Sequence, residues 1–451
     1  MDIRRLVKKL IPKSLFLKIE PYGHWLEAIL ENVIFGFPMS GLKVIGVTGT
    51  AGKTTSCTLI TNLLKESGLR VGMMTTISID YGDGKGPQPN TTRMTSVGSL
   101  TLIKAAKRMR ANNIDWLVLE TTSQALSQHR VFGVPFSLVG FTNLGHDNFH
   151  YHGTFERYRV AKVKLFKQCN RNRRGLRVGL INSDDPSSKY FSRAIKNPIT
   201  YGINSGELRA KKINLNTNGT SFVASIGSDN YQIETSLLGK FNIYNTLLAI
   251  GIGREIGLTK NQIEQGIASL KSVEGRLSLI NEGQEFSVIV DYATTPETFK
   301  EVFSAVKGMV RGRIIVVFGS AGRRDEIKRP LIGEIAGKEA DIVILTEEDD
   351  RDQDGQKILI EIAKGVKKAG KVEGRDLLLI HDREKAVTRA INLAKKDDLV
   401  LVLGKGEETV IISNKPGFKP SPGHNYNEST DTIRREYNDT KAVIKAIKNR
   451  H

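Results

Sequence analysis

The chain has 451 residues, 39% of them hydrophobic, a length that predicts two or three domains rather than a single core. Its 67 Lys and Arg residues outnumber 48 Asp and Glu residues, and the formal net charge of +19 favours acidic partners such as nucleotides, while the scattered basic residues lack the aromatic interleaving or zinc-finger spacing of nucleic-acid binders. The chain has two cysteines without paired spacing, which argues against a disulfide framework. It has no apolar run of transmembrane length and no signal-peptide pattern, so we expect a cytoplasmic protein.

Residues 1–42 form the first predicted segment. Basic residues alternate here with Leu, Ile, Phe and Trp25 at helical spacing, and the segment ends in Gly36-Phe37-Pro38. Such a helix could make a peripheral contact with a membrane surface. We expect instead a helical lead-in that packs on the next domain, because many core-packing helices have the same pattern.

Residues 43–274 are predicted to form a central α/β domain. A short apolar strand at Val44–Val47 leads into a Gly-rich turn and then a helix. Apolar runs at Trp116–Leu119 and Leu138–Phe141 are typical of buried strands, and strand, loop and helix alternate to about Leu270. The alternation predicts a mostly parallel sheet wrapped by helices.

Residues 275–451 are predicted to form a second α/β domain. Five strand-like runs are separated by helical stretches: Phe286–Val290, Ile314–Phe318, Ile342–Leu345, Leu377–Ile380 and Leu399–Leu403. The segment Lys415–Asn427 is rich in Pro, Gly and Asn and is expected to be a loop, and a basic amphipathic helix ends the chain.

The turn after the first strand has the composition of a phosphate-binding loop. Its sequence is Thr48-Gly49-Thr50-Ala51-Gly52-Lys53-Thr54-Thr55. Glycines let backbone N–H groups approach phosphates, Lys53 supplies a cation and the Thr54 hydroxyl can bind magnesium. The spacing departs from GxxxxGK[ST], since Val47 stands at the first glycine, and the alternative is an ordinary Gly-rich turn.

This loop and the motifs after it resemble those of the Mur ligase family. Thr48–Thr55 resembles the family sequence TGTNGKTT, with Ala51 in place of asparagine. The other matching segments, in family order, are Asn90-Thr91-Thr92, Glu120–Gln124, Gln128-His129-Arg130-Val131, Phe141–Leu144, Tyr151-His152-Gly153, Ala161-Lys162, Asn182–Pro186, Gly239–Asn245, Val290–Ala293, Lys328-Arg329-Pro330 and Gly404-Lys405-Gly406. Asn90-Thr91-Thr92 and Gln128-His129-Arg130 favour the UDP-N-acetylmuramyl-tripeptide synthetase branch.

The resemblance implies a central P-loop-type ATPase domain and a Rossmann-like C-terminal domain. It implies an ATP-dependent ligase that forms an amide bond on a muramyl-peptide-like acceptor through an acyl phosphate, in peptidoglycan precursor synthesis. A relative acting on a lipid-linked, pseudo-peptidoglycan or poly-γ-glutamyl acceptor is one alternative. A non-catalytic ATP-binding descendant is another, against which the retention of Lys53, Thr54, Glu120 and Lys162 argues.

The resemblance also assigns nucleotide and metal residues. The loop residues Gly49, Thr50, Gly52, Lys53, Thr54 and Thr55, together with Asn245, Arg276 and Asp291, would bind ATP. Thr54 and Glu120 would hold a first Mg²⁺, and Glu120 should lie at a strand end because it follows an apolar run. Lys162 matches the lysine that the family carbamylates, a modification that requires a neutral amine and so favours a buried position.

Two further groups of residues are assigned to the substrates. The acceptor would be contacted by Asn90, Thr91, Thr92, Ser123, Gln128 and Arg130, with the Arg130 guanidinium as a clamp for a carboxylate or phosphate. The incoming amino acid would be contacted by Arg351, Gly404 and Glu408. Arg351 lies in the acidic run Glu347–Asp354, which replaces the family's DNPR; we expect Asp349 and Asp350 to favour a basic amino acid, the alternative being a solvated acidic turn.

The sequence departs from the family at several positions. The family's DHLD, whose histidine helps to bind a second Mg²⁺, is replaced by Asp147-Asn148-Phe149-His150. Asn148 is the candidate ligand, through its amide oxygen, and His150 or His146 is the alternative. Histidines are also missing where Gln124, Thr294 and Glu407 stand. Some forty residues precede the loop, where family members usually carry a uridine-binding domain, so the acceptor's carrier could be UDP or a lipid.

Overall fold

The computed structural model of the protein describes residues 13–90, 98–145, 149–216, 219–308, 310–416, 426 and 428–450. These residues form two compact units. Unit 1 comprises the described residues of Met1–Asn214, Thr220–Thr235 and Phe241–Leu270, and unit 2 those of Leu215–Gly219, Ser236–Lys240 and Lys271–His451. The domain boundaries predicted after residues 42 and 274 stay a prediction.

The first half of the chain alternates strands and helices, as the sequence predicts. The strands are β1 (Lys43–Thr48), β2 (Val71–Met74), β3 (Ser78–Asp80), β4 (Gln88–Pro89), β5 (Trp116–Glu120), β6 (Phe136–Phe141), β7 (Val178–Asn182), β8 (Asn197–Gly202), β9 (Leu208–Asn216), β10 (Gly219–Ile226) and β11 (Asp229–Thr235). The helices are α1 (Lys13–Ile34), α2 (Lys53–Glu66), α3 (Ser99–Ala111), α4 (Ser123–Ser127), α5 (Phe149–His152), α6 (Phe155–Arg171), α7 (Ser188–Ser192), α8 (Lys240–Ile256) and α9 (Lys260–Ser269), with a 3₁₀ turn at Pro38–Gly41.

The first sheet has eleven strands in the order β11-β10-β9-β8-β7-β6-β1-β5-β2-β3-β4. Its central pairs, from β2 through β5, β1, β6 and β7 to β8, are parallel. The central strands β1, β5 and β6 are almost entirely buried, since helices cover both faces of such a sheet. The fold class expected from the sequence is confirmed.

Strict alternation fails between residues 208 and 235. Three successive strands, β9 to β11, extend the sheet without an intervening helix, and β10 and β11 pair antiparallel. In β11, buried and exposed residues alternate, the period-2 pattern of a strand with one solvated face. The sequence interpretation of continuous strand–loop–helix units was therefore wrong for this segment.

The second half contains a six-stranded sheet in the order β12-β13-β17-β14-β15-β16. Its strands are β12 (Ser278–Ile280), β13 (Ser287–Asp291), β14 (Ile314–Phe318), β15 (Ile342–Leu345), β16 (Leu377–Leu379) and β17 (Leu399–Leu403), followed by the two-stranded β18 (Val410–Asn414) and β19 (Thr432–Glu436). The helices are α10 (Pro296–Val306), α11 (Lys328–Glu339), α12 (Gly355–Lys368), α13 (Arg383–Leu393), α14 (Glu428–Asp431) and α15 (Asp439–Lys448). All five predicted strands are present and pair in parallel, whereas β12 is an unpredicted antiparallel edge strand.

Helix α1 is the predicted N-terminal helix, and it packs within unit 1. The Trp25 and Phe132 rings meet edge to face with centroids 6.3 Å apart, and Asn32 Nδ2 donates to the Phe132 carbonyl oxygen. Its other face is exposed at Tyr22, Leu26, Leu30, Val33 and Ile34. Among the described helices, none is both long and apolar enough to cross a membrane. Most of the predicted loop Lys415–Asn427 lies outside the described residues.

Candidate active site

The phosphate loop joins β1 to the N-terminus of α2. Lys53 begins α2, and its Nζ donates to the Thr50 carbonyl oxygen at 2.9 Å. Gly52 has φ +79°, and a Cβ there would lie 2.4 Å from Asn245 Oδ1; at Gly49 a Cβ would lie 1.8 Å from Thr142 Oγ1. Because side chains cannot fit at either glycine, the loop keeps bare backbone where a phosphate would approach.

The two predicted Mg²⁺ ligands meet beside this loop. Thr54 Oγ1 donates to Glu120 Oε2 at 2.9 Å, and both side chains are buried. Glu120 is the last residue of β5, as expected from the sequence. A hydroxyl and a carboxylate this close form a set of hard oxygen donors that suits magnesium, so the residues present fit the ion.

Thr76 is a site residue that the sequence did not reveal. Its backbone N–H donates to Glu120 Oε2 and its Oγ1 to Glu120 Oε1, both at 3.1 Å. These two hydrogen bonds orient the carboxylate next to Thr54. Thr76 follows β2 without any motif of its own, so only the adjacency of β2 and β5 in the sheet brings it to Glu120.

Lys162 contacts the backbone of the phosphate loop. Its side chain is only 2% exposed, its Nζ donates to the Gly49 carbonyl oxygen at 2.7 Å, and Nζ lies 4.6 Å from the centre of the Tyr158 ring. Tyr158 Oη in turn is 3.0 Å from Thr50 Oγ1. Helix α6 therefore places both residues at the loop, and Lys162 is not a lysine of the helix surface.

Other loop contacts come from the segment after β6. Asn143 Oδ1 accepts from the Ala51 N–H at 2.9 Å, and Thr142 Oγ1 donates to the Ala51 carbonyl oxygen at 2.6 Å. Asn245, the predicted adenine-binding residue, is buried; its Oδ1 accepts from Ser56 Oγ at 3.1 Å. Thr55 is also buried at the start of α2. These contacts fix the loop before any nucleotide is bound.

The predicted acceptor residues lie partly within the described chain. Asn90 is buried and its Nδ2 donates to the Thr75 carbonyl oxygen at 2.8 Å, while Ser123 Oγ is 2.9 Å from His152 Nε2. Gln128 is 6% exposed, and its Oε1 is buried with no hydrogen-bond partner among the described residues. Arg130 follows it and is partly buried. Thr91, Thr92 and the metal candidate Asn148 lie outside the described residues.

In unit 2, the predicted nucleotide residues Arg276 and Asp291 lie near each other. Asp291 ends β13, and its two oxygens accept from the N–H groups of Leu277 and Ala293 at 2.8 and 2.7 Å. Burial raises the pKa of the Asp291 carboxyl, which the charge of Arg276 opposes. Arg276 donates to Glu407, a residue for which no role was predicted.

The acidic run after β15 is buried rather than solvated, so the solvated turn is excluded for most of it. Asp349 Oδ1 accepts from the buried Lys405 Nζ at 2.9 Å, and Asp350 Oδ2 is 2.6 Å from His381 Nε2. Both carboxylates that were expected to select a basic amino acid are thus engaged within unit 2. Glu348 is different: it is 8% exposed and accepts no hydrogen bond from the described residues.

Of the remaining amino-acid candidates, Gly404 and Glu408 lie near Glu348. A Cβ at Gly404, which has φ +107°, would lie 3.6 Å from Glu348 Oε2. Burial raises the pKa of the Glu348 carboxyl, opposed by the charges of Lys328 and Lys405. Glu408 forms an ion pair with Lys405 and accepts a 3.3 Å hydrogen bond from Tyr292. Arg351, with φ +56°, donates to the Gly322 carbonyl oxygen.

Comparison with known proteins shows the family of this chain. The Mur ligase middle domain matches residues 47–253, and the Mur ligase glutamate ligase domain matches residues 275–406. A UDP-N-acetylmuramoyl-L-alanyl-D-glutamate–2,6-diaminopimelate ligase of Bacillus velezensis is 39% identical over 386 residues, which cover 85% of this chain and 77% of that one. The chain belongs to the Mur ligase family. Mur ligases are ATP-dependent enzymes that form amide bonds and require magnesium.

Other relatives within the family extend the comparison. A UDP-N-acetylmuramyl-tripeptide synthetase of Borreliella burgdorferi is 37% identical, covering 89% of this chain and 79% of that one. A solved UDP-N-acetylmuramoyl-L-alanyl-D-glutamate–2,6-diaminopimelate ligase has 28% identity and a TM-score of 0.60, covering 91% of this Mur ligase and 79% of the solved chain. A Mycobacterium tuberculosis folylpolyglutamate synthase complexed with ADP has a TM-score of 0.70 at 15% identity. The match covers 87% of this chain and 94% of that chain, and it shows a shared fold alone.

Proposed function

We propose that this Mur ligase adds a basic amino acid, as the third residue, to a muramyl-dipeptide acceptor in peptidoglycan precursor synthesis. The observation that carries the proposal is the buried Thr54–Glu120 pair beside a glycine-lined loop, in a chain whose relatives are tripeptide synthetases and diaminopimelate ligases. In this reaction the acceptor carboxylate attacks the γ-phosphate of ATP, ADP leaves, and the incoming amine then attacks the acyl phosphate and releases phosphate. Both steps occur in the cytoplasm under this proposal.

The phosphates of ATP would be held by the loop. The N–H groups at the start of α2 and the Lys53 ammonium face a position where phosphate charge is favoured. Mg²⁺ held by Thr54 and Glu120 would neutralise charge on the phosphates. Asn245 would contact the adenine, and Arg276 and Asp291 of unit 2 would add nucleotide contacts. Asn148 remains the candidate ligand for a second ion.

Lys162 is proposed to react with carbon dioxide and become a carbamate. Its side chain is buried, and its Nζ lies 2.7 Å from the Gly49 carbonyl oxygen of the loop. The carbamate would convert a cation into an anion able to help hold a second Mg²⁺. Intact-mass measurement in bicarbonate should show an added carbon dioxide that is lost in Lys162→Ala, and bicarbonate-independent activity would contradict the carbamate.

The acceptor would be recognised by the polar residues of α4 and the turn after it. Gln128 supports this, because its buried Oε1 accepts no hydrogen bond from the described part of the chain, and an N–H of a bound peptide would satisfy it. Ser123, Asn90, Thr91 and Thr92 would add further contacts, and Arg130 would bind a carboxylate or phosphate. Gln128→Leu, which keeps the volume but removes the acceptor atom, should raise KM for the acceptor and leave KM for ATP unchanged.

The amino acid would be selected by Glu348 rather than by Asp349 and Asp350. Those two carboxylates already have partners in Lys405 and His381, whereas Glu348 is buried and accepts no hydrogen bond from the described residues, so it could accept one from an ammonium group. Arg351, Gly404 and Glu408 would complete this pocket. A cation placed against a buried carboxylate contributes strongly, because leaving the carboxylate unpaired is costly.

Substrate panels test the proposal. Phosphate release and product mass are measured with UDP-linked and lipid-linked muramyl dipeptides, each combined with lysine, ornithine, diaminopimelate or glutamate. We expect turnover with a basic amino acid, and Glu348→Gln should raise its KM at least about tenfold. The matched control is Asp354→Asn, because Asp354 is an exposed residue of the same run. Its side chain accepts the N-cap hydrogen bond from the Gln356 N–H, and an asparagine side chain can accept the same bond. Preference for glutamate, or an unchanged KM in Glu348→Gln, would contradict the assignment.

A further inference from the structure

Two loops of unit 2 are packed against each other with no space between them. One is the turn at residues 274–277, which carries Arg276, and the other is the segment at 404–408 after β17. Gly275 has φ +67°, and a Cβ there would lie 2.3 Å from the Glu407 backbone nitrogen and 2.5 Å from Glu407 Oε2. The Tyr292 N–H also donates to the Gly275 carbonyl oxygen at 2.9 Å. The position of Arg276 is therefore set by the loop that contains Glu407.

Glu407 and Tyr292 both contact the Arg276 guanidinium. Its Nη2 donates to Glu407 Oε1 at 2.9 Å, and its carbon lies 4.6 Å from the centre of the Tyr292 ring. The Glu407 side chain is 4% exposed, whereas that of Arg276 is 23% exposed. The cation thus lies nearer the surface than the anion that compensates it, and an outside anion can reach it.

The ion pair with Arg276 engages only one of the two Glu407 carboxylate oxygens. Its second oxygen, Oε2, is buried and receives no hydrogen bond from any other described residue. The groups that face it are Arg276, Asp291 and Tyr292 from the neighbouring turn and strand, and Glu408 from its own loop. Burial, with smaller contributions from the charges of Glu408 and Asp291, raises the pKa of Glu407 to about 7, although the charge of Arg276 lowers it.

We propose that Glu407 is a positioning residue that holds Arg276 in the nucleotide-free enzyme and competes with bound phosphate for its guanidinium. This inference rests on the proposed role of Arg276 in nucleotide binding. When a polyphosphate approaches, the carboxylate is repelled by its charge and is neutralised by taking up one proton from solvent at Oε2. The guanidinium then exchanges one anionic partner for another, without leaving the Tyr292 ring.

The charge of Glu407 therefore opposes nucleotide binding, and ATP binds more weakly as Glu407 ionises. Glu407→Gln keeps the shape and an acceptor oxygen for Arg276 but removes the charge. We expect Glu407→Gln to bind MgATP about three- to tenfold more tightly at pH 8, a modest change because the pair is partly solvated. Adenosine, which has no phosphate, should bind both proteins equally.

The pH dependence gives a second readout. The native dissociation constant for MgATP should rise with pH through about 7, where Glu407 loses its proton, and the ratio of native to Glu407→Gln constants should approach one at pH 6. Taking the ratio removes the titration of the nucleotide's own phosphates. A residue that only stabilised the fold would change the melting temperature and leave this ratio independent of pH.

The experiment is calorimetric titration of the full chain with MgATP and with adenosine, for native protein, Glu407→Gln, Glu407→Ala and Glu384→Gln. Glu384 is the matched control, because it is a carboxylate of the same unit paired with the exposed Lys445. Equal or weaker ATP binding by Glu407→Gln, with native binding intact, would overturn the competition. Absence of ATP binding by the native protein, or native-like binding by Lys53→Met, would instead overturn the proposed nucleotide site.

Discussion

A buried ion pair in unit 2 provides the sharpest test of the structure. Arg383 and Asp439 are both 0% exposed, and they are joined by two hydrogen bonds, Nε to Oδ1 and Nη2 to Oδ2, each 2.8 Å long. Arg383 also donates to the Glu347 carbonyl oxygen at 3.1 Å and to the Leu403 carbonyl oxygen at 2.8 Å. The guanidinium therefore connects helix α15 with the loops after β15 and β17, which carry Glu348 and Gly404.

Asp439→Asn removes the compensating charge and leaves the buried guanidinium unpaired. Breaking one side of a buried pair costs about 3–5 kcal/mol, whereas the exposed Glu384–Lys445 pair should contribute less than about 1 kcal/mol. Replacing both partners by apolar residues, as in Arg383→Met with Asp439→Leu, should cost less than Asp439→Asn alone, because no charge is then buried.

Hydrogen exchange of the amides of β13 and β17 in increasing urea measures the unfolding of unit 2 separately, which a single whole-chain transition would not. A loss of less than about 1 kcal/mol in Asp439→Asn, or a double variant less stable than Asp439→Asn, would refute this description of the pair.

Three further predictions concern the loop, the metal and pH. Gly52→Ala should raise KM for ATP, because the added Cβ would collide with Asn245 Oδ1. The control Gly68→Ala, at a glycine with φ +85° and no atom within 4 Å of the added Cβ, should cost only backbone strain of about 1 kcal/mol. Equal KM values for the two variants would contradict the loop geometry. Glu120→Gln should lower kcat at least about a hundredfold and weaken Mg²⁺ activation; an unchanged Mg²⁺ dependence would exclude Glu120 as a ligand. The hydrogen bond to Asp350 raises the pKa of His381 in the folded protein. The pair therefore stabilises unit 2 fully at pH values below the pKa of His381 in the unfolded chain, and this stabilisation is lost as pH rises through the pKa of His381 in the folded protein. NMR titration should show a lower His381 pKa in Asp350→Asn.

The strands and the phosphate loop could be predicted because their signals are local. Ile314–Phe318, Ile342–Leu345 and Leu399–Leu403 are apolar runs bounded by polar residues, and the structure has them with the predicted bounds. The helix after the loop begins at Lys53, where the glycines end. Glu120 was placed at a strand end for the same reason.

The contacts between distant segments could not be predicted. Thr76 reaches Glu120 only because β2 and β5 are neighbours, and Glu407 reaches Arg276 only because two loops 131 residues apart pack together. Asp349 and Asp350 were expected to select a basic amino acid, because the sequence does not show that Lys405 and His381 contact these carboxylates. The segment 208–235 was misinterpreted because its alternating burial is visible only once the face of the sheet is known.

The most direct test of the ligase assignment is to measure ATP-dependent phosphate release by the native protein and the mass of the product. The substrates are lysine and a UDP-linked or lipid-linked muramyl dipeptide, and the assay is run with and without EDTA. The proposed function predicts phosphate release that requires Mg²⁺, the acceptor and the basic amino acid together, and a product heavier than the acceptor by one amino-acid residue. Phosphate release that is independent of the acceptor and the amino acid, with no condensed product, would contradict it.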